Sequence, residues 1–146
     1  MIDPEDCQTE SVKTFLETLV LPFPPSVNGY WRSVTNRTRG GKVTTRQILS
    51  ERAREYRKNT YSLIKKTRGV GAVKHEGALA VMIQLIPPCN RRRDVDNFNK
   101  AVFDVMTHAG VWGDDCQVED LRVIKQKKEA GGMVKVHIYA VLDTPE

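Results

Sequence analysis

The sequence predicts an α+β domain in which two α-helices pack on one mixed β-sheet, in the order β-α-β-α-β-β. Two apolar stretches, Val12–Leu21 and Ala78–Ile86, have the length and composition of strands. Two longer segments, about Thr45–Lys66 and about Asp96–Ala109, repeat apolar residues at helical intervals. The end of the chain alternates apolar and polar residues, as half-buried strands do.

The first strand ends where prolines begin, because the segment "PFPPS" removes backbone donors that a sheet needs. The next segment, Ser26–Lys42, is rich in Gly, Asn, Ser and Arg and predicts a long loop. Thr44 and Gln47 then stand at capping-box spacing and predict the start of the first helix.

The second half of the chain continues the alternation of strand and helix. Ala78–Ile86 is almost continuously apolar, which predicts a central strand covered on both faces. Gly110 follows the second predicted helix as a natural C-terminal cap. The last two strands, Gln117–Lys127 and Met133–Leu142, are predicted to pair as a hairpin across "KEAGG".

The composition fits one domain, predicted to span residues 12–146, after an acidic extension at residues 1–11 that we expect to be disordered. No apolar run reaches the roughly 18 residues of a membrane span. The acidic first residues do not resemble a signal peptide, so we expect a soluble, cytoplasmic protein. Cys7, Cys89 and Cys116 form no Cys-x-x-Cys pair, so we expect reduced thiols rather than a zinc site or a disulfide framework.

Positive charge is concentrated in one part of the chain. The net charge is +5, yet residues 28–68 contain twelve Lys or Arg and two Glu, a local charge of +10. This asymmetry predicts a basic surface for a polyanion, with nucleic acid as the first candidate. A solvated basic helix would give the same count.

The segment "RRRDVDNFNK", Arg91–Lys100, places three arginines directly before two aspartates. In an extended backbone, Asp94 and Asp96 point the same way and offer oxygen ligands to a hard cation such as Mg²⁺. Lys100 follows Asp96 by four residues, which on a helix is one turn along the same face. An ammonium there could neutralise charge that develops on a phosphate.

A third acid comes from "GDDCQVEDL", in which Asp114 and Asp115 close a turn before a strand. Together these acids suit metal-assisted hydrolysis of a phosphodiester, with the arginines holding flanking phosphates. Simpler interpretations remain open at this point. Either Asp94 or Asp96 could be only a helix N-cap, and the pair "DD" could be only turn chemistry.

The motifs "LPFPPSVNGYW" and "RRRDVDNFNKAVFDVMTHAGVWGDDCQV", followed by the closing strands, resemble the RusA family of Holliday-junction resolvases. The similarity runs in order from about Leu21 to Leu142. It implies a homodimeric endonuclease that uses Mg²⁺, with Mn²⁺ as a substitute, to cut four-way DNA junctions by paired nicks. It places the catalytic acids and metal ligands at Asp94, Asp96 and Asp115, and the essential lysine at Lys100.

The expected partners are therefore junction DNA and a second copy of the chain, with no membrane. The expected DNA-binding residues are Arg32, Arg54, Arg57, Lys58, Arg91, Arg92 and Arg93. Two other functions are weighed against this one. A DNA-binding module without catalysis would use the basic helix and stack bases on Tyr30 and Trp31. A phosphotransferase would need a glycine-rich phosphate loop, which the sequence lacks.

Overall fold

The computed structural model describes residues 12–142. The predicted acidic extension and Cys7 lie outside this range. The main elements are β1 (Val12–Leu21), α1 (Val27–Tyr30), β2 (Trp31–Arg37), β3 (Val43–Leu49), α2 (Glu51–Arg68), β4 (Leu79–Ile86), α3 (Asn99–His108), β5 (Val118–Lys125) and β6 (Met133–Leu142). Two single 3₁₀ turns, Val95–Asn97 and Asp115–Gln117, precede α3 and β5.

The four long strands form one mixed sheet in the order β1-β6-β4-β5. The predicted mixed sheet is confirmed, because β5 runs parallel to β4 while β6 runs antiparallel to both β4 and β1. The predicted hairpin between the last two strands is wrong. Their connection, residues 126–132, crosses the end of β4 and bonds to it, with the Gln126 amide donating to Leu85 O at 2.8 Å. The two strands therefore pair with opposite edges of β4.

The segment Ser26–Lys42 is not a long loop, and the first helix does not begin at Thr45. Instead β2 and β3 pair antiparallel from Trp31↔Leu49 to Arg37↔Val43 and form a separate two-stranded sheet. The stretch "VTTRQIL" is rich in β-branched residues, which fit a pleated strand better than a helix. The helix begins one residue after Ser50, whose Oγ accepts a hydrogen bond from the Ala53 amide at 3.1 Å.

The core lies between the sheet and the two long helices, on a single face of the sheet. Alternate residues of β4 and β6 are buried there, and Ile64 of α2 and Val102, Val105 and Met106 of α3 pack against them. On the opposite face Ala80 and Ile86 are buried, but Met82 and Gln84 between them are only half-buried, so the prediction that β4 is covered on both faces holds only in part. Among residues 12–142, no helix is long and apolar enough to cross a membrane.

Candidate active site

The arginine segment before α3 is organised by its last member. Arg93 folds back so that its guanidinium donates to Cys89 O at 2.9 Å and to Arg91 O at 3.1 Å, and it stacks over the Phe23 ring. A further bond from Arg93 to the Cys89 sulfur lowers the pKa of that thiol. Arg93 is thus occupied within the chain, whereas Arg91 and Arg92 are exposed and free to meet a ligand.

Arg91, Arg92 and Asp94 lie along a cleft of about 830 Å³. Its opposite wall is the proline segment after β1, held in place by the Tyr56 hydroxyl, which donates to Pro22 O at 2.8 Å. The third side is one face of α2, which contributes Arg52, Glu55, Tyr56 and Asn59. The predicted contacts Arg54 and Lys58 are exposed but do not line this cleft. Successive residues of an α-helix are rotated by about 100° around its axis, and this places both side chains on another face of α2.

Asp94 and Asp96 occupy the short connection between the cleft and α3. Asp94 is extended and precedes the 3₁₀ turn that contains Asp96, and both carboxylates are exposed. Lys100, also exposed, follows in the first turn of α3. The second helix was predicted to start at Asp96, but a 3₁₀ turn takes its first residues and α3 begins at Asn99. Neither aspartate makes a side-chain cap, so the simple N-cap interpretation fails for both.

Asp115 is fixed at the other end of α3. Its Oδ1 accepts hydrogen bonds from the Thr107 hydroxyl and, at 3.1 Å, from the Trp112 indole nitrogen. Trp112 is fully buried and packs edge-on against Phe103, so the donor cannot swing away without disturbing the core. The neighbouring Asp114 is used differently: it caps the following turn through the Cys116 amide, and this bond lowers the pKa of Asp114.

The turn that carries Asp115 is held on both sides. The Gln117 side chain accepts from the amides of Gly113 and Asp114, and it donates to His75 O and Gly77 O at 3.0 Å. The His75 amide in turn donates to Val111 O. The loop between α2 and β4, residues 69–78, therefore supports the backbone around Asp115.

That supporting loop is itself tied to the sheet by a charged cluster. Glu17 of β1 accepts from Arg68 at 3.2 Å and from the His75 ring, and Arg68 also donates to Val73 O and Gly110 O. Arg68 is nearly buried, which limits solvent screening of the pair. This cluster joins β1, the end of α2, the loop and the end of α3.

Asp115 and the pair Asp94/Asp96 are thus separated by the length of α3. Lys100 and Thr107 are seven residues apart, which is about 10 Å along the helix, and Asp96 precedes Lys100. Within residues 12–142, no three His, Cys, Asp or Glu side chains converge closely enough to hold a metal ion. One chain therefore presents the candidate acids as two separate groups.

Asp104 is a residue of this region that the sequence reasoning missed. It lies one turn after Lys100 and one turn before Thr107, on the same stripe of α3. Its carboxylate is 3.3 Å from the Arg57 guanidinium, so the predicted DNA contact Arg57 is engaged inside the chain. Burial raises the pKa of the neighbouring Tyr30 hydroxyl, and Asp104 raises it further. Its spacing of four residues from Lys100, which is one helical turn, could have indicated this position from the sequence alone.

Comparison with known proteins identifies the family to which these features belong. The family model described as endodeoxyribonuclease RusA matches residues 22–139, which include every candidate acid, Lys100 and the arginine segment. The chain belongs to the RusA family. The family resemblance seen in the sequence motifs is confirmed.

Relatives with RusA names come from bacteria and from phages. The crossover junction endodeoxyribonuclease RusA of Escherichia coli (strain K12) is 36% identical over 122 residues, covering 83% of this chain and 92% of that protein. The protein of that name in Enterobacteria phage 82 is 37% identical over 123 residues, 82% and 91% of the two chains. That of phage HK97 is 35% identical over 119 residues, 82% and 90% of the two chains.

Because the Thr107 hydroxyl orients Asp115, its removal should impair this RusA-family site without unfolding the chain. Thr107→Val should lower the rate of junction cleavage on the order of tenfold, since a hydrogen bond to a charged group contributes about 1.5–3 kcal/mol. Thr107→Ser keeps the hydroxyl and should stay close to wild type. Cleavage rates and junction affinity would be measured for both. Equal rates for Val and Ser would show that this bond has no part in positioning Asp115.

Proposed function

We propose that this chain is an endonuclease that cuts four-way DNA junctions with the help of a divalent metal ion. The observation that carries the proposal is the placement of Asp94 beside Arg91 and Arg92 at one cleft, with the exposed Asp96 two residues further along, in a chain of the RusA family. A cleft with exposed arginines suits phosphates, and adjacent carboxylates suit a cation that would act on one of them.

The donor set fits Mg²⁺, with Mn²⁺ as a substitute. Asp94, Asp96 and Asp115 would supply carboxylate oxygens, the ligands that a hard cation prefers. The bound ion would activate water and stabilise the attacking and leaving oxygens. Lys100, exposed at the start of α3, would neutralise charge on the phosphate, while Arg91 and Arg92 hold its neighbours in the strand. Since its named relatives are bacterial and phage proteins, the chain would act in the bacterial cytoplasm.

The protein would act as a homodimer whose sites are shared between chains. Asp115 is held to the far end of α3 by Thr107 and by the buried Trp112, so it cannot move to Asp96 without breaking those bonds. A second copy related by a two-fold axis can bring its own Asp115 to the first chain's Asp94 and Asp96. Such a dimer presents two equivalent sites, which suits a junction that is resolved by two nicks.

The first test replaces each acid singly. Asp94→Asn, Asp96→Asn and Asp115→Asn should nearly abolish cleavage of a labelled four-way junction and leave binding largely intact, because affinity rests mainly on phosphate contacts. Asp120→Asn, at an exposed position of β5, is the matched control and should cut normally. Cutting should require Mg²⁺ and stop with EDTA. Normal cutting by Asp96→Asn would refute the site, and binding without any cutting by the wild type would indicate a non-catalytic DNA-binding module.

The second test concerns the lysine. Lys100→Ala should slow cleavage by about 10²–10³-fold, because a donor aimed at developing charge acts in the transition state. Lys65→Ala removes the same charge from an exposed position near the end of α2 and should cost about twofold or less, since its field is screened. Single-turnover rates at saturating protein would separate the two. Small, equal losses would make Lys100 an ordinary basic residue.

The third test mixes inactive subunits. Asp96→Asn and Asp115→Asn chains would be combined, and heterodimer formation checked with tags of different size. In a shared arrangement one site of each heterodimer collects both defects and the other collects none, so nicking of one strand should return. A parallel mixture of Asp96→Asn with Lys100→Ala shows which chain supplies the lysine. Heterodimers of Asp96→Asn and Asp115→Asn that remain inactive would place all three acids in one chain.

A further inference from the structure

We propose that the ribbon formed by β2 and β3 is a DNA-binding arm that lies in the major groove of one junction arm. The inference rests on the proposed function, because it assigns the protein surface that would hold the duplex next to the point of cutting. The charge, exposure, dimensions and location of the ribbon support this assignment.

The charge of the ribbon is of one sign. Residues 31–49 contain no Asp or Glu and five basic residues, namely Arg32, Arg37, Arg39, Lys42 and Arg46. Within residues 12–142, none of these five forms a salt bridge. A surface of unpaired positive charge is complementary to a phosphate backbone, and such charge supplies much of the affinity of proteins for DNA.

The ribbon contributes little to the core from which it projects. Apart from Val34, every residue of β2 is exposed, and in β3 only Ile48 and Leu49 are half-buried. It joins the domain at its base, where the Ser50 amide donates to Tyr30 O and Leu49 packs near Tyr30. A lone two-stranded hairpin is marginally stable in water, so an arm of this kind gains stability when a partner covers it.

The dimensions fit the major groove. Each strand has seven residues, which is about 23 Å of extended chain. The major groove, about 12 Å wide, admits a two-stranded ribbon without distortion, whereas the minor groove, about 6 Å wide, would have to be deformed to do so. The end of the ribbon is a compact turn in which the Thr38 amide donates to Lys42 O at 2.9 Å and Gly41 has a φ of 79°.

One face of the ribbon carries side chains that can contact base edges. Directly opposed residues share a face, and the pairs Arg32↔Ile48, Val34↔Arg46 and Asn36↔Thr44 alternate with the pairs of the other face. Beside the half-buried Val34 and Ile48, this face therefore presents two arginines, an asparagine and a threonine, all of them exposed. Arginine pairs with guanine O6 and N7, and asparagine with adenine N6 and N7, both in the major groove.

The location connects the arm to the candidate site. The residues just before β2, Ser26 and Asn28, line the cleft that also contains Arg91, Arg92 and Asp94. Arg52, which follows β3 by three residues, lines the same cleft. A duplex held by the ribbon would thus lead to the cleft. A second copy of the chain is a poorer occupant, because two ribbons of +5 would repel each other.

The experiment uses dimethyl sulfate, which methylates guanine N7 in the major groove. The full-length Asp96→Asn chain would be bound with Mg²⁺ to a synthetic four-way junction with guanines along each arm. We expect a protected stretch of N7 positions on an arm beside the branch point. Adding Arg32→Ala and Arg46→Ala to this chain should abolish that protection and weaken binding about tenfold or more.

The matched control removes two charges elsewhere. Lys65→Ala with Lys66→Ala, in the same Asp96→Asn chain, changes the end of α2 farthest from the ribbon and should leave the protected stretch in place. Absence of N7 protection with Asp96→Asn, or protection that survives loss of Arg32 and Arg46, would overturn the proposal. A change from dimer to monomer in the variant with Arg32→Ala and Arg46→Ala, measured by light scattering and with protection retained, would also overturn the proposal. It would show that the ribbon is a contact between subunits. Failure of the wild type to cut the junction would instead refute the proposed function.

Discussion

The attachment of Asp115 to the carboxyl end of α3 is the constraint on which the rest of the site depends. Trp112 is buried in the core and donates to both Thr107 and Asp115, so the position of the carboxylate is set by core packing. The same helix begins beside Asp94 and Asp96. Since a helix is stiff and its length is fixed by residue count, α3 separates the acids by a set distance. In the proposed dimer, the metal site would form where the two ends of α3 from different chains meet.

The surroundings of that attachment explain several features far from the cleft. Gln117 and His75 hold the two sides of the Asp115 turn, and Arg68 links Gly110, after the end of α3, to Glu17 on the sheet. A carboxylate that binds a metal must keep its place when a charged substrate arrives. These contacts hold it without using exposed, screened ion pairs. At the other end, Arg93 organises the loop that presents Arg91, Arg92 and Asp94.

Local patterns in the sequence predict much of this fold, and the errors arise where pairing is decided by distant residues. β1, β4 and β6 lie where their apolar patterns indicate, because burial of one face acts residue by residue. The pairing of β5 and β6 with opposite edges of β4 depends on how residues 126–132 cross the sheet, which no local pattern encodes. The ribbon was missed because its Gly, Asn and Arg content is typical of a loop, while its stability comes from cross-strand pairs.

The candidate site likewise has features that the local sequence predicts and features that depend on tertiary packing. The spacing of Asp94, Asp96 and Lys100 is a local feature, and all three side chains are exposed, with Asp94 at the arginine cleft. The restraint of Asp115 by Thr107 and Trp112 depends on tertiary packing. The same holds for the pairing of Arg57 with Asp104, which engages an expected DNA contact within the chain.

The central claim is that carboxylates from opposite ends of α3 bind one metal ion, and cleavage of the polypeptide by bound iron tests it most directly. Fe²⁺ would replace Mg²⁺ in the full-length protein bound to a four-way junction, with ascorbate and peroxide added to generate hydroxyl radicals at the metal. The account predicts fragments that end in two segments, residues 93–97 and residues 113–116, both lost in Asp96→Asn and both retained in Asp120→Asn. Fragments from only one of these segments, or loss of only one of them in Asp96→Asn, would contradict it.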